Sequence, residues 1–230
     1  MLEARGLYKN YNDKEAIKDV NFQVKPGDVF CLLGQNGAGK TTTINILLGL
    51  IKPTKGDALI NDISIIRSKL KLSSIAYIPE TVELYGNLSG IENLDFFSRL
   101  AGFKYSKEEL INFLEEANLE QDAHQKKLVI YSKGMRQKVG IAVALAKNAS
   151  YILMDEPTSG LDPKASLEFA NTCKKLASNG VGVFMATHDI FNAVNIGSRI
   201  GIMKEGTIIH TAETTDITAQ ELQDLYIKTI

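Results

Sequence analysis

The spacing of apolar residues changes character twice along this 230-residue chain. Stretches 2–8, 16–24 and 58–63 alternate apolar with polar positions and are bounded by Asn, Asp, Gly and Pro. That is the pattern of short strands with one buried face. Between them, 29–33 is continuously apolar and 42–48 follows with helical spacing. From about 80 to 147 the period is helical. Ser89-Gly-Ile-Glu92 and Ser106-Lys-Glu-Glu109 are capping boxes that open two helices, the first ended by Gly102 and the second reaching about 118. Ser132 starts a long helix that runs to about 147. Continuous apolar runs return at 151–155 and 181–186, as parallel strands covered on both faces require. Between them 164–178 reads as a crossover helix closed by Gly180, and Thr218-Ala-Gln-Glu221 opens a last helix. The expected architecture is a single α/β domain over 1–230, with an N-terminal antiparallel β region. Its core comprises 1–79 and 148–230, and a helical subdomain is inserted at about 80–147.

Composition narrows the class without deciding the chemistry. Hydrophobic residues make up 44% and charged residues 23% of the chain, enough to bury a sizeable core. A net charge of −1 leaves no basic footprint for nucleic acid. Met1-Leu-Glu-Ala-Arg5 lacks the order of a signal peptide, and the apolar runs at 44–51 and 141–146 are too short to span a bilayer. Cys31 and Cys173 sit in an apolar strand and helix without metal-site spacing. They read as buried thiols in a reducing compartment, so a cytosolic location is expected.

The chemistry concentrates in residues 34–41, Gly-Gln-Asn-Gly-Ala-Gly-Lys-Thr. Gly34, Gly39, Lys40 and Thr41 occupy the fixed positions of G-x-x-x-x-G-K-[ST], between an apolar run and a helix. Glycines let backbone amides turn onto an anion, and the helix N-terminus adds its dipole. In this P-loop Asn36, Gly37, Ala38 and Thr42 complete the cradle, Lys40 reaches the β- and γ-phosphates, and Thr41 places its hydroxyl on Mg²⁺. A P-loop enzyme also needs an acidic residue for the metal and a group for the attacking water. Asp155 and Glu156 leave the run at 151–155 at the strand's carboxyl edge, where ligands gather in open α/β sheets.

In the order of its segments the chain resembles the nucleotide-binding subunit of ABC transporters over nearly its whole length. The resemblance is carried by Tyr11, the P-loop, YIPE at 77–80, YSKGMRQ at 131–137, YILMDEPTSGLD at 151–162 and THD at 187–189. It implies a P-loop NTPase core that binds ATP and Mg²⁺. Asp155 then supports the metal, Glu156 polarises the hydrolytic water, and His188 contacts the γ-phosphate. Residues 159–162 face a partner subunit. Tyr11, in the polar turn 10–13, is suited to stack on the base, with Tyr8 the alternative. Ser132 and Gly134, with the helix they open, form a second anion site. Since one chain has no use for two γ-phosphate sites, two chains placed head to tail would each complete the other's.

Two departures from the family pattern stand out. The usual Leu-Ser-Gly-Gly-Gln is here Tyr131-Ser-Lys-Gly-Met135, and Glu80 stands where most members carry glutamine. Two readings of Lys133 are open: an added charge near the phosphate, or a side chain directed to solvent. Glu80 can coordinate Mg²⁺ but cannot donate a hydrogen bond. Together these features resemble the subclass that exports drugs, polysaccharides or antimicrobial peptides. The expectation is an ATP-hydrolysing subunit that pairs with a second copy. It would dock on an integral membrane permease at the inner face of the membrane, without nucleic acid. Leu84, Tyr85 and Leu88 are the expected grip on that permease. The alternative class is a soluble cassette ATPase acting on ribosomes or DNA. A GTPase is disfavoured by the absence of an Asn-Lys-x-Asp motif.

Overall fold

The computed structural model describes residues 1–12, 14–68 and 74–229. Asp13, which closes the polar turn after Tyr11, lies outside them. The first strands, β1 (Leu2–Tyr11) and β2 (Lys14–Val24), pair antiparallel. β1 pairs on its other edge with β4 (Lys55–Ile60), and β5 (Ile63–Ser64) completes a sheet ordered β2-β1-β4-β5. Here the structure corrects the single strand expected at 58–63. Asn61 and Asp62 both take left-handed backbone (φ 48° and 64°), so the chain turns back after Ile60 as a hairpin. Asn and Asp tolerate that conformation better than most residues.

The second sheet holds β3 (Val29–Leu33), β6 (Ile75–Ile78), β7 (Tyr151–Asp155), β8 (Gly182–Thr187), β9 (Arg199–Lys204) and β10 (Thr207–Glu213), in the order β10-β9-β3-β8-β7-β6. All its pairings are parallel except β9 with the edge strand β10. Alternate residues of the central strands feed two cores. Cys31, Met154 and Met185 point into one, and Leu32, Leu153 and Ala186 into the other. The second core lies against the antiparallel sheet. There Phe22, Phe30 and Phe184 stack with centroids 5.0–5.9 Å apart. Cys31 and Cys173 are both fully buried and unbridged, and burial pushes the Cys31 thiol up to about 12.

The first core is closed by helices α2 (Gly90–Leu100), α3 (Lys107–Glu116), α4 (Lys133–Ala146), α5 (Pro163–Ser178) and α6 (Ile190–Ile196). Ser89 and Ser106 make both bonds of their capping boxes, so each helix begins where a local side chain satisfies its free amides. α2 stops just before Gly102, whose φ of +93° suits glycine, and α5 just before Gly180 (φ +85°). α1 (Lys40–Leu47) packs beneath the antiparallel sheet. α7 (Ala219–Thr229) closes the chain behind the third capping box, in which the Thr218 hydroxyl accepts from the Glu221 amide and the Glu221 carboxylate accepts from the Thr218 amide.

Candidate active site

Because β3, β8, β7 and β6 are parallel neighbours, the segments that follow them emerge along one edge of the sheet. β3 delivers the loop from Gly34 to Gly39, β6 delivers Glu80, β7 ends in Asp155 before Glu156, and β8 ends in Thr187 before His188. A cleft of about 790 Å³ opens there, with Asn36, Gly37, Gly39, Lys40, Thr41 and Thr42 on one wall. Asp155, Glu156 and Glu80 form another wall, and Tyr11, 45% exposed, stands at the rim. Tyr8 does not line the cleft; it packs under Lys55 instead.

Gly39 caps α1 with φ +112°, and a Cβ there would lie 2.8 Å from the Ala16 carbonyl oxygen. Only glycine fits, and it offers no side chain to the helix's first amides, which stay free for an anion. Ala38 is buried beneath the loop, its carbonyl accepting from the Gly206 amide at 2.9 Å, and Gly34 passes under it against Met203. Lys40 folds back into the cradle, only 6% exposed. Its Nζ donates to the Gly34 and Gln35 carbonyls at 2.6 and 3.3 Å and stands 3.3 Å from Glu156 Oε1.

The carboxylates divide by environment. Asp155 Oδ2 accepts from Thr41 Oγ1 at 2.9 Å. Burial pushes its carboxyl above its ordinary value. The Thr41 bond pulls it down, the neighbouring Glu156 and Glu80 charges push it up, and Lys40 offsets them in part. This buried, under-compensated negative charge suits a cation. Among the described residues no group of three or more His, Cys, Asp or Glu is placed to hold a metal alone. A hard divalent ion held by Thr41 and Asp155 therefore fits if phosphate oxygens supply its other ligands, as is usual for Mg²⁺.

Glu156 has left-handed backbone (φ 45°). Of the eight non-glycine residues with positive φ among those described, six are Asn or Asp. Glu205 is the seventh, and with Gly206 it makes the tight β9–β10 turn. Glu156 alone has neither excuse, and such a backbone costs on the order of 1–3 kcal/mol. That conformation aims its carboxylate along the sheet edge, where Oε2 accepts from the His188 amide at 3.2 Å and lies 2.8 Å from His188 Nδ1. Glu156 thus stands between Lys40 and His188.

Ser132 and Gly134 lie elsewhere. They line a separate cavity of about 270 Å³ between the starts of α4 and α5, where Ser132 Oγ accepts from the Met135 amide at 3.3 Å. Lys133 is partly exposed. Its Nζ turns within the chain toward Glu80 Oε1, 3.7 Å away, and Ser159 Oγ donates to that same oxygen at 2.9 Å. The walls contributed by Lys14, Glu15 and the Glu205–Gly206 turn had not been expected. Only the turn carried a local signal, its glycine after a polar residue.

The sequence profile of the ABC transporter family matches residues 17–159. The chain belongs to the ABC transporter family. It is 37% identical over 218 residues to the uncharacterized ABC transporter ATP-binding protein YhcH of Bacillus subtilis (strain 168), covering 94% of this chain and 71% of that one. The bacitracin transport ATP-binding protein BcrA of Bacillus licheniformis is 35% identical over 212 residues, 91% of this chain and 68% of its own. The fold matches a dimeric, post-hydrolysis structure of the ATP-binding cassette MJ0796 bound to ADP and Pi. That match has a TM-score of 0.80 and 30% identity, and covers 93% of this chain and 99% of the other. The mixed α/β architecture is that of an ABC cassette, and the chain is an ATP-binding component of this transporter family. None of its described helices is long and apolar enough to cross a membrane.

Proposed function

We propose that two copies of this chain bind two ATP molecules head to tail, hydrolyse them, and so drive export through a separate membrane permease. The observation that carries this reading is the separation of the two anion sites. The cavity at Ser132 and Gly134 takes no lining residue from the 34–42 loop, so within one chain the two sites do not face each other. A second copy, rotated, supplies the missing half to each.

In this reading Lys40 and the α1 amides hold the β- and γ-phosphates, and Tyr11 stacks on the base. Glu156 accepts a proton from the attacking water, and His188 holds the Glu156 carboxylate in place beside the γ-phosphate. Thr41 and Asp155, with Glu80 as a further carboxylate, would hold Mg²⁺, which would supply positive charge against the transferred phosphoryl group. Export is supported by the similarity to a bacitracin-transport protein and by the pairing of YSKGM with Pro79-Glu80. The head-to-tail pair is tested by mixing Ser132→Arg chains with Lys40→Ala chains. Each mixed dimer then has one site with both lesions and one intact site, so ATPase activity is expected to recover in part. No recovery once mixed dimers have been shown to form would reject it.

The permease would dock beside α2. The Tyr85 ring is 49% exposed and meets Phe96 edge-on at 4.9 Å. Val129 and Ile130, 69% and 66% exposed, are brought alongside by the Val129 amide bond to the Gly86 carbonyl. Leu84 packs against the core and Leu88 is half-buried, so Tyr85, rather than either leucine, is the exposed anchor of the three. Such an apolar patch with an aromatic centre suits an apolar segment of a membrane subunit, in keeping with a peripheral position on the cytoplasmic side. Tyr85→Glu is expected to abolish transport by the reconstituted complex while the isolated subunit keeps its ATPase rate. Unchanged transport would move the docking surface elsewhere.

A further inference from the structure

Two of the residues that depart from the family pattern, Glu80 and Lys133, face each other. Glu80 leaves the end of β6 and lines the nucleotide cleft. Lys133 is the first residue of α4, a poor place for a cation because the helix dipole is positive there. Its nearest compensation is Glu80 Oε1 at 3.7 Å. Ser159 Oγ donates to the same oxygen at 2.9 Å, and Lys133 Nζ lies 4.0 Å from where a Cβ on Gly160 would stand. One carboxylate thereby ties together the segment after β6, the start of α4 and the loop after β7. Glu80 is also repelled from the other side, since its charge is felt at buried Asp155.

We infer that Lys133 is a positioning residue that competes with the nucleotide's Mg²⁺ for the Glu80 carboxylate. Lys133 and Ser159 together hold Glu80 Oε1 on the side of α4 and the loop after β7. When nucleotide and metal enter, Glu80 exchanges the ammonium for the metal, and Lys133 with the 159–160 loop is released toward the partner copy. The inference rests on the nucleotide reading given above. Both side chains are partly exposed, 32% for Lys133 and 54% for Glu80, so the exchange is weak enough to be reversible. Exposed ion pairs of this kind shift an equilibrium by about two- to five-fold.

The test measures equilibrium binding of a fluorescent, non-hydrolysable ATP analogue with excess Mg²⁺ and with EDTA, and takes the ratio of the two dissociation constants. Lys133→Met removes the competing charge at nearly constant length, so the ratio is expected to rise about two- to five-fold toward tighter metal-dependent binding. Lys133→Arg should keep the wild-type ratio. In a Glu80→Gln background Lys133→Met should change nothing, because the carboxylate under competition is gone. A ratio insensitive to Lys133→Met, or one shifted equally in both backgrounds, would overturn the inference and leave the nucleotide site standing. A wild-type chain whose binding is indifferent to Mg²⁺ would overturn both.

Discussion

Replacing Glu156 with Gln is expected to lower the ATPase rate by about 10²- to 10⁴-fold while ATP binding persists, the usual scale for losing a positioned general base. The substitution preserves length and shape, so the left-handed turn at 156 and the amide bond to the Ala186 carbonyl can remain. What disappears is the negative charge between Lys40 Nζ at 3.3 Å and His188 Nδ1 at 2.8 Å. The Gln side chain still offers one oxygen to the His188 amide, but it cannot take a proton from water at neutral pH. ATP therefore stays intact once bound, and the variant should accumulate as a nucleotide-loaded dimer, seen as a doubled mass by light scattering with ATP and Mg²⁺. Phosphate release at near the wild-type rate would remove Glu156 from the catalytic role.

The strain at Glu156 explains why this site was only partly legible in the sequence. The apolar run at 151–155 announced a buried strand, and parallel-sheet logic placed its end beside those of β3 and β8. The capping boxes at Ser89 and Ser106 were readable for a similar reason: each depends on two residues three apart, and the structure makes both bonds. The hairpin at Asn61–Asp62 was hidden because apolar residues continue on both sides of it. Side-chain contacts away from that shared sheet edge left no trace. Nothing local to Glu80 points to Lys133 or Ser159, and their meeting follows only from how α4 and the loop after β7 pack beside β6. The pose of Lys40 was equally illegible. Its place in the motif pointed to the phosphates, and nothing in it shows that the side chain also bonds two carbonyls of its own loop.

That pose sets the terms of the second large effect. Lys40→Ala is expected to weaken ATP binding about 10- to 100-fold, the loss of one charge-assisted contact to phosphate. In the folded chain the ammonium donates to the Gly34 and Gln35 carbonyls and approaches Glu156 Oε1, which has no hydrogen-bond partner. Moving onto phosphate exchanges these contacts for a stronger anion, so the residue is held ready at little reorganisation cost. Removal leaves Glu156 facing incoming phosphate without its ammonium partner, and repulsion adds to the lost bond. The fold should survive, because Gly39 and α1 are fixed by packing against Met203 and the apolar core rather than by Lys40. Calorimetric titration with ATP, alongside circular dichroism, separates the two consequences. Weak binding with an unchanged spectrum is the expected result, and unchanged affinity would mean that the 34–41 loop is a structural turn and not a phosphate cradle.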